Sequence, residues 1–291
     1  MIQIWWKAAR PRTLPFVAAP FVVGTFLTPL SLYEINYALM LAAILCTFFL
    51  QVATNYLNDA IDGEAGADTS ERIGPQRVTA TGLIPAKVMY LGGYIAMTLA
   101  VAFAFPLIWE MGMPMVLVIA AALFFAAIYS GGPYPLTKIG FAEIVVFVFY
   151  GWVATLSAYA LQTGMVDFKA WLGGAQIGSL ACLPLELNYF RDVVQDQKAG
   201  RRTCVIRFGE LFARRQMAFS AFLPFFLSVG WLYVDAPLAA AAPWLAFPLA
   251  SQLVRNIYQH DPSPICNLFF NQGAKLPVIF ALLLVLGYRL G

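Results

Sequence analysis

The chain has 291 residues, 61% of them hydrophobic and only 11% charged, with a formal net charge of +3. A soluble domain carries roughly a quarter charged residues, so this surface could not be solvated by water, and the balance excludes intrinsic disorder, a disulfide-stapled secreted module and a nucleic-acid-binding domain. With a mean hydropathy of +0.74, the composition predicts one all-α, multi-pass integral membrane domain over residues 1–291.

The first element is a tail, Met1 to Arg12, carrying Lys7, Arg10 and Arg12 before a long apolar run. The run is longer than a signal-peptide core and lacks a small-x-small cleavage site, so it reads as a retained first helix. A membrane helix needs about 20 mostly apolar residues. Nine stretches qualify: Leu14–Leu32, Tyr37–Leu57, Val88–Ile108, Met113–Tyr129, Phe141–Leu161, Trp171–Tyr189, Met217–Val234, Leu238–Val254 and Gly273–Leu290. Pro243 and Pro248 interrupt the eighth. The four cysteines form no CxxC pair and read as small hydrophobes.

Charge is sorted by loop. With nine crossings, sixteen of the eighteen Lys and Arg residues fall on one side, leaving Lys169 and Arg289 opposite. The positive-inside rule then predicts a cytoplasmic N-terminus and places the two long polar stretches, Asn58–Lys87 and Arg191–Arg215, on the cytoplasmic face of what reads as a bacterial inner membrane.

Those stretches carry two related motifs. The second span ends in Asn55, Asn58, Asp59, Asp62 and Asp68; the sixth ends in Asn188, Asp192 and Asp196. Both contain Asn-x-x-x-Asp, and residues three and four apart share a helix face, so each motif predicts an oxygen-rich stripe. Carboxylates at a helix end are often only a solvated face. Two matched clusters opening into one cavity, however, repel each other, and hard oxygen ligands of this kind typically share Mg²⁺ with phosphate oxygens. Basic residues follow each cluster: Arg72 and Arg77 after the first, Lys198, Arg201 and Arg202 after the second. Acids for a metal beside cations for phosphate point to a diphosphate substrate.

These residues resemble the UbiA superfamily of intramembrane aromatic prenyltransferases, whose members carry two aspartate-rich motifs on a nine-helix bundle. Within it, the chain is most similar to the branch acting on 1,4-dihydroxy-2-naphthoate. The resemblance rests on Ala9–Pro15 with Arg12 where Lys is common, Glu71–Arg77, Tyr129–Pro133 and Asn188–Thr203, where Arg201 stands in place of Lys. Position 66 is Gly, and the third Asp of the first motif arrives at Asp68, a gap associated with the naphthoate branch.

The resemblance implies transfer of a polyprenyl or phytyl group from its diphosphate to 1,4-dihydroxy-2-naphthoate with decarboxylation, in menaquinone or phylloquinone biosynthesis. Asn55, Asp59, Asp62, Asp68, Asp192 and Asp196 would hold Mg²⁺, with Asp59, Asp62, Asp192 and Asp196 catalytic. Arg72, Arg77, Asn188, Lys198, Arg201 and Arg202 would hold the diphosphate. Arg10 and Arg12 would meet the acceptor carboxylate, joined by Glu143, an acid within an apolar span. Glu186 would orient Asn188. Other readings stay open. Acceptance of 4-hydroxybenzoate or homogentisate would use the same metal motifs. A CDP-alcohol phosphotransferase needs an Arg that Asp62–Gly66 lacks, and a cation transporter would place its acids nearer the bilayer midplane.

Overall fold

A computed structural model describes residues 1–64, 73–74, 76–132 and 135–291. Asp68 and Arg72 lie outside the described residues, as do Pro75 and Pro133. Among the described residues the structure is helical throughout, with no strand. In chain order the elements are α1 (Ile2–Ala8), α2 (Pro15–Phe26), α3 (Tyr37–Glu64), α4 (Ala86–Met111), α5 (Met113–Ser130), α6 (Leu136–Ile139), α7 (Ala142–Thr163), α8 (Phe168–Arg191), α9 (Val193–Lys198), α10 (Cys204–Phe208), α11 (Glu210–Val234), α12 (Pro237–Gln259) and α13 (Cys266–Leu290).

Among the described residues six helices are long and apolar enough to cross a membrane: α3, α4, α7, α11, α12 and α13. The apolar helices α2 and α5 are shorter. The 24-residue α8 carries more polar groups, and most of it is buried. Each stretch singled out by hydropathy lies mainly in one helix, and the helices overrun the apolar stretches except α2, which ends at Phe26, six residues short of Leu32. The consequential overrun is α3, which continues past Leu57 to Glu64 and keeps the whole first acidic motif helical.

The largest core cluster forms around α8, where Leu180, Leu183 and Leu187 meet Met217 and Phe225 of α11 and Leu276 and Phe280 of α13. Because lipid tails are as apolar as these side chains, the contacts hold the helices together by close van der Waals packing and not by removal from water. Gln176 of α8 crosses this core and is satisfied there: its Nε2 donates to the Pro224 carbonyl (2.9 Å) and to Ser228 Oγ (3.1 Å), and its Oε1 accepts from Trp231 Nε1 (3.0 Å). Within a bilayer such groups must find protein partners; likewise the Ser220 carbonyl, which Pro224 deprives of its helical donor, accepts from Ser179 Oγ at 3.0 Å.

At the crossing of α7 and α8 the backbones touch. A Cβ on Gly151 would stand 2.6 Å from the Gly174 oxygen and 2.7 Å from the Gly178 Cα, so the approach requires glycine. Over the same stretch, Phe147–Val153, α7 widens into a π-helix, a distortion associated with functional sites. By contrast α5 packs on α3 and α4 with only Met115 buried among its described residues. Its inward face borders open space.

Candidate active site

That space is a cavity of about 230 Å³ between α2, α3, α4, α5, α7 and α8. One end is polar, formed by Arg10, Asn55, Asn58 and Asn188. The rest is apolar and reaches Ala43, Leu107, Met115 and Leu161. From Asn55 to Ala43 along α3 is roughly 18 Å at 1.5 Å per residue. The carboxylates begin one residue past Asn58.

On α3, Asp59 is 3% exposed. Its Oδ2 accepts the Val78 amide at 3.0 Å and its Oδ1 the Thr79 amide at 2.8 Å, which ties the turn after the first motif back onto the helix. Asp62, one turn on and also buried, pairs through Oδ2 with Arg77 and, at 3.1 Å, with Arg201. The second nitrogen of Arg201 reaches Asp196 Oδ1, also at 3.1 Å. One guanidinium therefore bridges the two motifs. The repulsion expected between them is offset by planar, permanently charged guanidinium groups set between the acids.

The second motif is not one continuous helix, as its spacing predicted. The helix α8 ends at Arg191, Asp192 turns out of helical geometry (φ −95°, ψ 15°), and α9 starts at Val193. The Asp196 amide still donates to the Asp192 carbonyl at 2.8 Å, so the two acids remain one turn apart. At this break Arg191 folds onto Asp192 as a bidentate fork, Nε to Oδ1 at 2.7 Å and Nη2 to Oδ2 at 2.6 Å. Its third contact, 2.9 Å, is Asn267 at the start of α13. Asn267 in turn donates to the Ile73 carbonyl at 3.3 Å. A Cβ on Gly74 would meet Arg191 Nη2 at 2.5 Å, so the glycine leaves room for the guanidinium.

The structure thus gathers Asn55, Asn58, Asp59, Asp62, Arg77, Asn188, Arg191, Asp192, Asp196 and Arg201 at one end of the cavity. Arg10 joins them from the N-terminal tail, in a left-handed turn (φ 56°) whose carbonyl accepts the Thr13 amide and hydroxyl, each at 2.9 Å. Other expected residues are not brought there. Arg12, Lys198 and Arg202 are exposed and do not line the cavity. Glu143 must be corrected: it is buried but does not reach the cavity wall, because its helix presents Val145, Val146 and Phe149 there instead. Its backbone carbonyl accepts from Cys182 Sγ at 3.4 Å. Glu186 likewise turns from Asn188 and accepts from Gln216 (3.1 Å) and Ser220 (2.8 Å) of α11. Arg191 was visible within the motif but not singled out. Asn267, Gln51 and Tyr150 carried no local signal, since each acquires its partner only across the fold.

Among the described residues no three His, Cys, Asp or Glu side chains stand together as a ready-made metal site. The donor set still fits a hard cation. Asp62 and Asp196 share one guanidinium, all the acids offer oxygen ligands, and the arginines that neutralise them are suited to diphosphate oxygens.

The model of the UbiA prenyltransferase family matches residues 17–273, and the chain belongs to that family. A protein from Mycobacterium tuberculosis named 1,4-dihydroxy-2-naphthoate octaprenyltransferase is 32% identical over 82% of this chain and 84% of its own length. One of the same name from Haemophilus influenzae is 29% identical over 100% of this chain and 97% of its own. Among solved structures, a UbiA homolog from Archaeoglobus fulgidus bound to GPP and Mg²⁺ superposes with a TM-score of 0.68 at 15% identity, covering 98% of this chain and 99% of that one. The apo structure of a UbiA homolog from Aeropyrum pernix gives 0.69 at 14% identity over 93% and 96%. At such identities the likeness is one of fold.

Proposed function

We propose that this chain transfers a polyprenyl or phytyl group from its diphosphate to 1,4-dihydroxy-2-naphthoate, with loss of the carboxylate. The observation that carries the reading is the cavity: a long apolar chamber whose polar end adjoins two acidic motifs bridged by Arg201. It suits a substrate with a hydrocarbon tail and a highly charged head. The names of relatives that align over most of the chain support the naphthoate as acceptor. In this reading the bundle crosses the bilayer nine times with its N-terminus and acidic end in the cytoplasm, as the sorting of basic residues supports.

Asp59, Asp62, Asp192 and Asp196, with Asn55, would hold Mg²⁺, and Asp68 completes the proposed set. The cation supplies neutralisation of diphosphate charge as the leaving group departs. Arg77 and Arg201, already poised on Asp62 and Asp196, share that load with Asn188, while Arg72 and the exposed Lys198 and Arg202 add the positive charge of the basic loops that draws the diphosphate in. The apolar walls exclude water from the allylic carbon, and the rings of Phe16, Tyr129, Phe149 and Tyr150 in the wall offer electron-rich faces, each contributing about 0.5–2 kcal/mol to a nearby cation. Arg10, at the polar end, is placed to meet the acceptor carboxylate, with Arg12 behind it.

Attack from the ring carbon bearing the carboxylate forms the carbon–carbon bond, and loss of CO₂ returns its electron pair to the ring. The test is the product's mass and label. Membranes carrying the protein, given carboxyl-labelled 1,4-dihydroxy-2-naphthoate, 4-hydroxybenzoate or homogentisate with a polyprenyl or phytyl diphosphate, should release labelled CO₂ in step with prenylated naphthoquinol, and only with Mg²⁺ present. Product that keeps the label, or turnover with 4-hydroxybenzoate alone, overturns the acceptor assignment.

A further inference from the structure

A chain of three hydrogen bonds runs along the cavity wall from the N-terminal tail to α7. It begins at the Ala9 carbonyl, a group that only accepts. Asn55 Nδ2 donates to it at 2.9 Å, which directs Asn55 Oδ1 back along α3. Gln51 Nε2, one turn deeper, donates to that oxygen at 3.5 Å. This leaves Gln51 Oε1 facing α7, where Tyr150 Oη donates to it. The backbone carbonyl fixes the first amide, that amide fixes the second, and the second fixes the phenol. The Tyr150 proton is committed to Gln51, so its oxygen offers lone pairs, not a proton, to any further partner.

The ring has little freedom to turn away. Phe16 packs on it with centroids 5.7 Å apart at 51°. Phe16, Gln51, Asn55 and Tyr150 all line the cavity, so the chain is not a sealed core network. Along α3, Gln51 lies roughly 12 Å from Asp59 on the membrane side. With the diphosphate at the acidic end, Tyr150 stands beside the first carbons of the tail, where the aromatic acceptor must come.

Resting on the prenyl-transfer reading, we infer that Gln51 is a positioning residue that holds Tyr150 Oη as the hydrogen-bond acceptor for a hydroxyl of the aromatic substrate. The site thereby selects a ring whose O–H is free. As the ring carbon attacks, positive charge spreads onto the hydroxyl and its proton becomes a stronger donor. A lone pair already aimed at it in a low-dielectric wall stabilises the transition state more than the ground state. If Tyr150 were a plain wall residue, a methyl ether of the acceptor would serve as well as the phenol, because its oxygen donates comparable electron density to the ring.

The test uses the full-length protein in membranes with one polyprenyl diphosphate and three acceptors: 1,4-dihydroxy-2-naphthoate and its two mono-O-methyl ethers. The wild type should use at least one ether about tenfold less well or worse, as expected for a site built around a substrate hydroxyl. Tyr150→Phe should lower kcat/KM for the dihydroxy acid about tenfold and bring that ether to near parity, with KM for the diphosphate little changed. Gln51→Leu should behave like Tyr150→Phe, and the double variant should be no worse than either, because both act through one oxygen. Gln51→Glu, which keeps an acceptor for Tyr150 but has no donor for Asn55 Oδ1, should recover part of the loss that Gln51→Leu shows. Equal use of the phenol and both ethers by the wild type, an unchanged preference in Tyr150→Phe, or additive losses in the double variant would each overturn the inference alone. A wild type inert towards the dihydroxy acid would overturn the underlying reading and this inference with it.

Discussion

The two acidic motifs share a spacing, Asn-x-x-x-Asp, yet the fold uses them differently. The first lies within one helix, and Asp59 spends both carboxylate oxygens on backbone amides of the following turn. The second straddles a helix break, and Asp192 spends both of its oxygens on the neighbouring Arg191. Their outer acids, Asp62 and Asp196, do become equivalent, each held by one nitrogen of Arg201. A repeated motif therefore brings two segments onto one guanidinium without assigning equal duties to its members. The inner acid anchors a loop in one case and an arginine in the other, while the outer pair shares Arg201.

The sharpest way to break this comparison is to neutralise the outer pair. Asp62→Asn and Asp196→Asn should each reduce turnover by about 1,000-fold, the upper range for losing one electrostatic stabiliser of a transition state, and Asp62→Asn, which also takes the counter-charge from the buried Arg77, should cost about 3–5 kcal/mol in equilibrium unfolding. Activity within tenfold of wild type in either variant would show that the two motifs do not serve one site. Next in size is Arg191→Ala. It strands Asp192 and Asn267 and removes one partner of a largely buried ion pair, so the detergent-solubilised protein should lose roughly 3 kcal/mol in equilibrium unfolding. Asp59→Asn should cost less, about 1–3 kcal/mol, because one of two amides then faces a donor in place of an acceptor. A stability unchanged from wild type would mean that the Val78–Thr79 turn is held by other contacts.

Two smaller effects leave both motifs intact. Ala43→Phe projects a ring into the apolar end of the cavity and should reduce turnover of a long-tailed donor relative to geranyl diphosphate by about tenfold, read as a ratio of initial rates. An unchanged ratio would put the tail elsewhere. On the other side of α7, burial, reinforced by the Glu143 carboxylate, pushes the Cys204 thiol up to about 12. A thiol whose folded value exceeds its unfolded one stays protonated at pH 8, so alkylation of Cys204 should lag that of the denatured chain and accelerate as pH rises towards 12. This thiol should also withdraw stability between about pH 9 and 12, since the unfolded chain releases its proton first.

Much of this was legible before any fold was known. Hydropathy located every long helix because a chain surrounded by lipid needs uninterrupted apolar runs, and the helices exceed those runs only where polar turns continue at their ends. The acidic motifs were legible because helical spacing alone puts Asn55, Asp59 and Asp62 on one face. Less legible was anything that depended on which way a helix turns inside the bundle. Glu143 reads from sequence as an acid in an apolar span, and only the rotation of α7 shows that it faces away from the cavity while Phe149 and Tyr150 face into it. Arg12 and Arg10 are two residues apart, and only the left-handed turn at Arg10 decides that one enters the cavity and the other does not.

By itself, then, the sequence determined the apolar surroundings, the positions of the long apolar helices and the oxygen-rich stripe of the first motif, because these follow from composition and from periods of about four residues. The tertiary structure decided the pairing. Arg201 spans 139 positions to reach Asp62, Arg191 spans 76 to reach Asn267, and Tyr150 spans 99 to reach Gln51. Such contacts depend on helix rotation and on the close glycine crossing of α7 with α8, and neither leaves a periodic trace in the chain. The physical reason is one of range: hydrophobic burial is written locally in every turn, whereas a hydrogen bond between distant helices exists only after the whole bundle has packed.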